Sequence, residues 1–261
     1  AGGVGRAPGF CVLMWLAVDD ERPTGFLQTV ERTRAALTRV YGGPRVDIRV
    51  LFDRGKRSPY PACTGCAFLK ERYRAKDALR SGRPVWLLFL GHGATVTGDS
   101  VFHVQYRDLG AREIAERLSG AASQADLVIV LTASASGGFL APLRGPGRIL
   151  VAAAPPGAVD SETEFPHAMA DVLADPRTAD ANGDGVLSLA ELVGAARQRV
   201  AAWYAEKGLV CTESAVVDGD GDGRADAGPD SEDARWAERV GLRFSPPTDR
   251  KSTRLNSSHR I

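Results

Sequence analysis

Two residues capable of hydrolytic chemistry stand where two apolar segments end. His92 follows the run 85–90, and Ser134 follows the run 127–131. A continuous apolar run predicts a strand covered on both faces, and ligands of open α/β sheets bind just past the carboxyl ends of such strands. We therefore expect the His92 imidazole to serve as a base beside the Ser134 hydroxyl. The backbone N–H of Gly93 and that of Ser134 itself would be the oxyanion donors.

A second chemical site is predicted between residues 180 and 191, which fit the twelve-position EF-hand loop. Its ligands stand at positions one, three, five, seven (a backbone carbonyl), nine (through water) and twelve: Asp180, Asn182, Asp184, Val186, Ser188 and Glu191. Hard oxygen ligands in this number suit Ca²⁺ rather than zinc. The alternative is a capping box, in which Ser188 and Glu191 begin a helix without any metal.

A shorter Asp-rich run repeats the first half of that loop. Asp218, Asp220 and Asp222 supply oxygens at positions one, three and five, but the twelfth position is Pro229, with Asp230 next to it. Two interpretations follow. The run is either a partly open second calcium loop or a disordered acidic linker.

The elements that must position these residues alternate between strand and helix patterns, which predicts a mostly parallel sheet with helices on both faces. We expect a short edge hairpin at 101–106. The predicted strands span 10–18, 46–52, 85–90, 127–131 and 148–154, and the predicted helices span 26–41, 67–80, 111–118, 165–173 and 189–203.

Changes in composition divide the chain into segments. Residues 1–9 are interpreted as the start of a fragment, and 10–210 as one α/β domain that contains the loop 180–191. Residues 211–248 are acidic, rich in Asp and Gly and poor in apolar side chains, so we expect a tail there. Residues 249–261 resemble a translated sequencing adapter and are interpreted as an artefact.

Charge and hydropathy exclude several classes of protein. The 261 residues include 33 Lys and Arg and 32 Asp and Glu, and without residues 249–261 the counts become 29 and 31. This balance argues against a nucleic-acid partner. No apolar run is long enough to span a bilayer. The N-terminal residues show neither an initiator Met nor a signal-peptide pattern, so they do not indicate a compartment.

The order of these motifs resembles the caspase–legumain clan of cysteine peptidases. There, a buried strand ends in His-Gly, and a later buried strand ends in a Cys followed by Ser-Gly-Gly. The resemblance covers roughly residues 10–210 and implies a caspase-like three-layer sandwich. It places His92 at the catalytic histidine, Gly93 at the oxyanion glycine and Ser134 at the nucleophilic cysteine, and it implies a peptide or protein ligand.

Serine in place of cysteine changes the expected chemistry. A thiol with a pKa near ~8.5 is easily ionised beside histidine, whereas a hydroxyl needs a well-oriented base and a third residue to hold it. Asp99 and Asp108 are the candidates for that third residue. We expect a calcium-binding pseudo-peptidase. The alternatives are an active hydrolase that uses His92 and Ser134, and an unrelated non-catalytic calcium-binding α/β module.

Overall fold

A computed structural model describes most of the chain. The described residues are 11–17, 23–41, 46–52, 60–104, 106–119, 126–158, 161–226 and 231–244. Within these ranges the strands are β1 Cys11–Ala17, β2 Asp47–Phe52, β3 Val85–Gly91, β4 Gly93–Val96, β5 Asp99–Phe102, β6 Leu109–Gly110, β7 Leu127–Leu131, β8 Arg148–Ala152, β9 Val186–Ser188, β10 Val216–Asp218 and β11 Gly241–Arg243. The α-helices are α1 Pro23–Arg39, α2 Gly65–Arg80, α3 Ala111–Leu118, α4 Leu140–Leu143, α5 Phe165–Ala174, α6 Leu189–Lys207 and α7 Glu232–Arg239. Residues 1–9 and 249–261 lie outside the described part of the chain.

Helix ends follow local sequence signals. The Thr64, Ser188 and Ser231 side chains each accept a backbone N–H in the first turn of the helix that follows them, which satisfies a donor that has no partner inside the helix. Gly208 ends α6 in the left-handed conformation. None of the described helices combines the length and the apolar character needed to cross a membrane.

The central sheet has the strand order β10-β8-β7-β3-β1-β2. Its strands are parallel except β10, which runs antiparallel to β8 at one edge. This confirms the expected mostly parallel α/β sheet.

Helices cover both faces of this sheet, which completes a three-layer α/β sandwich. Alternate residues of each strand point to opposite faces, so Trp86 and Leu88 join the core cluster beneath α1, α5 and α6. Leu87 and Phe89 join a second cluster beneath α2, α3 and α4. Every residue of β3 and β7 is buried, as the apolar runs predict.

The segment after β3 departs from the expected edge hairpin. β4, β5 and β6 form a separate three-stranded antiparallel sheet that includes the predicted strand region near 101. β4 begins at Gly93, directly after His92, so the peptide turns out of the main sheet there. Gly91, with φ at 138°, takes a backbone conformation that other residues rarely adopt.

The segment 211–248, expected to be an acidic tail, contributes to the folded domain in its described part. β10 pairs with β8 in the main sheet, α7 packs on α6, and β11 pairs with β9. A strand of three residues is too short to show the alternation of apolar and polar side chains that predicts a strand. The many Asp and Gly residues between these strands also make the segment look unstructured.

Candidate functional site

The two residues predicted to meet at the sheet edge do follow adjacent strands. β3 and β7 are parallel neighbours whose last pair is Phe89 with Leu131, so His92 and Ser134 both lie just beyond the same edge. Both are partly buried. The Ser134 Oγ donates a hydrogen bond to the backbone oxygen of Gly93 at 2.8 Å. The hydroxyl proton is therefore directed to a carbonyl in this structure.

The His92 ring packs against an aromatic side chain. The ring of Phe26, on α1, meets it edge-on with centroids 5.1 Å apart, and Phe26 also lies 5.6 Å from the ring of His167. Among the described residues, no hydrogen bond joins the side chains of His92 and Ser134. Within the described ranges, the contact recorded for the imidazole is therefore packing on an aromatic ring.

Of the two carboxylates considered as orienters of His92, Asp108 has another histidine as its partner. Its Oδ1 lies 2.7 Å from Nδ1 of His103. Asp99 begins β5, where its Oδ2 lies close to Gly110. The turn after β5 thus brings His103, rather than His92, to the candidate Asp108.

Polar side chains around Ser134 hold the strand ends together. Thr132 Oγ1 donates to the oxygen of Phe89 and accepts from the N–H of Gly91, which joins the tips of β7 and β3. Ser136 Oγ accepts from the N–H of Ala154 and joins the same segment to the end of β8. The serine and threonine residues of this motif thus satisfy buried backbone groups.

The first loop, residues 180–191, is held together by hydrogen bonds between its own backbone N–H groups and its polar side chains. Each side chain at positions one, three, five and twelve accepts backbone N–H groups of the same loop, which fixes the conformation of the loop. The bonds run from Gly183 and Gly185 to Asp180 (2.9 and 3.1 Å), from Asp184 to Asn182 (2.9 Å), from Val186 to Asp184 (2.7 Å), and from Ala181, Asn182 and Ser188 to Glu191 (2.9, 3.4 and 2.9 Å). Ser188 and Glu191 also complete the expected capping box at the start of α6.

The second loop, residues 218–226, repeats these bonds position by position. The bonds run from Gly221 and Gly223 to Asp218 (2.7 and 2.8 Å), from Asp222 to Asp220 (3.0 Å), and from Arg224 to Asp222 (2.7 Å). A strand, β10, leads into this loop where an EF-hand has a helix. Pro229 and Asp230, considered for the closing position, lie outside the described residues.

A carboxylate that the sequence analysis missed closes the second loop. Asp233, on the first turn of α7, accepts from the N–H groups of Gly219 and Asp220 at 2.7 and 3.3 Å and from Asp226 at 2.6 Å. Glu191 accepts from the matching three positions of the first loop. Asp233 stands four residues later than the twelfth position, so a template of fixed length passes over it. The sequence feature that could have pointed to Asp233 is Ser231, a typical N-cap residue, which indicates that a helix begins there.

Three carboxylates of the second loop could hold a metal ion. One oxygen from each of Asp218, Asp220 and Asp222 lies within 4.8 Å of the others. Among the described residues only this trio of acids comes so close, and the first loop has the amide oxygen of Asn182 at the corresponding place. Burial raises the pKa of Asp218 to about 6, and the nearby Asp233 carboxylate adds to the rise. A cation would relieve this crowding of negative charge.

Known proteins similar to this chain support its fold. No protein-family model matches the chain, and no curated protein does. Among solved structures, the chain is similar to the crystal structure of a Geobacter sulfurreducens protein that was a structural genomics target. The TM-score is 0.53 with 11% identity over 80% of this chain and 92% of that chain. At this identity the likeness shows a shared α/β architecture alone.

Proposed function

We propose that the chain is a calcium-binding protein with a caspase-like fold. Ser134 stands where the caspase–legumain clan has its nucleophilic cysteine, so the sheet edge binds a peptide or protein segment without cleaving it. The observation that carries the calcium part is the repeated set of hydrogen bonds in two loops of different sequence. Asp233 matches Glu191 in that set although it stands at a different spacing.

The ligand chemistry favours a hard divalent cation. At positions one, three, five and twelve the first loop offers three carboxylates and one amide oxygen. The second offers three carboxylates at positions one, three and five, and Asp233 adds a fourth. Oxygen donors of this number and flexible spacing match Ca²⁺, whereas Mg²⁺ demands a tighter octahedron and retains more water. The proposed ligands are Asp180, Asn182, Asp184, Val186, Ser188 and Glu191 in the first loop, and Asp218, Asp220, Asp222 and Asp233 in the second.

Calcium titration is expected to show two bound ions and a more stable fold. At a free concentration one hundred times the dissociation constant, one site contributes about 2.7 kcal/mol to stability, since the ion binds the folded chain alone. Calorimetric titration gives the stoichiometry, and thermal melts in chelator and in millimolar calcium give the shift. Millimolar magnesium is the control. Equal melting temperatures in chelator and calcium would contradict the proposal.

The pseudo-peptidase part is supported by the partner of Ser134. A serine nucleophile needs its proton taken by an imidazole that a third residue orients. Here the hydroxyl donates to the Gly93 oxygen, the His92 ring rests on Phe26, and Asp108 pairs with His103. The adjacency of His92 and Ser134 keeps the active hydrolase as the second candidate. The ligand of this edge would be a peptide or a protein segment.

The Ser134→Cys variant is expected to gain peptide cleavage that the natural chain lacks. A thiol ionises beside histidine without an orienting residue, so turnover of a peptide library should rise at least about tenfold above background. The matched control is Ser134→Ala, which should equal the natural chain. Adding His92→Ala to Ser134→Cys should remove the gain. Cleavage by the natural chain that Ser134→Ala abolishes would favour the active hydrolase instead.

A further inference from the structure

The second loop packs against the part of the chain that carries Ser134. This part, the Ser134 segment (residues 134–145), runs from Ser134 through a 3-10 helix at Ser136–Phe139 and α4 to Gly145. The backbone oxygen of Gly221 accepts a hydrogen bond from the N–H of Gly145 at 2.9 Å. One end of the Ser134 segment is thus joined directly to the second loop.

The contact is too close for side chains. A Cβ on Gly221 would lie 2.4 Å from the oxygen of Gly145, and a Cβ on Gly223 would lie 3.1 Å from Ala141 in α4. Both glycines have positive φ, 77° and 93°. The backbone of the second loop therefore forms part of the surface on which α4 ends.

The same two glycines are held by the first proposed ligand. The N–H groups of Gly221 and Gly223 donate to the two carboxylate oxygens of Asp218, which is fully buried. Asp218 is also the last residue of β10, whose partner strand β8 follows the Ser134 segment. An ion that fixes Asp218 would fix the glycines and, through them, the end of α4.

Within the described part of the chain, the first loop makes its contacts away from the Ser134 segment. Its strand β9 pairs with β11, and the oxygen of Gly185 accepts from the N–H of Phe244. A Cβ on Gly183 or Gly185 would meet no atom within 4 Å. The two loops thus share a hydrogen-bond pattern but contact different parts of the fold.

We infer that calcium in the second loop, and not in the first, rigidifies the Ser134 segment and so controls the conformation of the candidate site. This inference rests on the proposed calcium binding. It assigns the second loop a regulatory role toward the sheet edge, carried by the contact of Gly221 and Gly223 with α4 and Gly145.

Hydrogen exchange measured by mass spectrometry on the full chain tests this role. Asp222→Asn and Asp184→Asn are matched variants, because both remove the accessible carboxylate at position five of their loops. Calcium should slow exchange over residues 134–145 about tenfold in the natural chain and in Asp184→Asn, and the slowing should vanish in Asp222→Asn. Hydrogen exchange in peptides from α2 reports any change in global stability, and calcium should slow it much less.

The outcomes separate the two proposals. If titration shows two bound ions and exchange over 134–145 does not change, the regulatory role is overturned while calcium binding stands. Slowing that persists in Asp222→Asn, or equal slowing in α2, also overturns it. A natural chain that binds no calcium overturns both proposals together.

Discussion

Replacing Asp233 with alanine is expected to lower the calcium stoichiometry from two ions to one and to destabilise the fold. The residue is 4% exposed and its carboxylate accepts three backbone N–H groups, from Gly219, Asp220 and Asp226. Only the N–H of Gly219 is buried, while those of Asp220 and Asp226 are partly open to water. A buried donor left without a partner costs about 1–3 kcal/mol, so a loss of that order is expected even in chelator. Calorimetric titration measures the first effect and denaturant unfolding measures the second.

The neighbouring residue provides the control for this experiment. Glu232 lies in the same first turn of α7, is exposed, and carries the same charge. Glu232→Ala removes an equal interaction with the helix dipole and should keep both ions and nearly all of the stability. If Asp233→Ala still binds two ions with unchanged affinity, Asp233 does not close the second loop, and the similarity between the two loops has no functional meaning.

The sequence predicts the residues of the first loop better than those of the second. The first loop is contiguous, so each proposed ligand from Asp180 to Glu191 stands at the position that the EF-hand template requires. The second loop closes with a residue beyond an insertion, and its incoming element is the three-residue strand β10. Because the second loop is completed by a residue of α7, its last carboxylate, Asp233, is identified by its hydrogen bonds to the loop and not by its spacing along the chain.

The sheet could be predicted because its signal is local. Each buried strand appears as an apolar run, and the alternation of strands with helices dictates parallel pairing. This places His92 and Ser134 at one edge, as found. The partners of these side chains come from distant segments: Phe26 of α1 packs on His92, and the oxygen of Gly93 in β4 accepts from Ser134. No pattern within a window of sequence contains that information.

Gly137→Ala is expected to be the most disruptive small change at the sheet edge. A Cβ at this position would lie 2.3 Å from the backbone carbon of Pro155 and 2.3 Å from the nitrogen of Pro156. Backbone cannot yield as a flexible side chain would, so the 3-10 helix after Ser134 must shift. We expect a loss of about 3 kcal/mol and a fall in melting temperature of roughly 10 °C.

Gly194→Ala is the matched control, because Gly194 lies inside α6 and an added Cβ meets nothing within 4 Å. Alanine there should stabilise the chain by about 0.5–1 kcal/mol. The two variants show whether Gly137 of the Ser-Gly-Gly motif is required for packing or for function. If Gly137→Ala unfolds early while Ser134→Ala melts like the natural chain, the glycine is required for packing whether or not the site has catalytic activity. A Gly137→Ala chain as stable as the natural one would show that the Pro155–Pro156 turn moves freely, and the motif would then need a functional explanation.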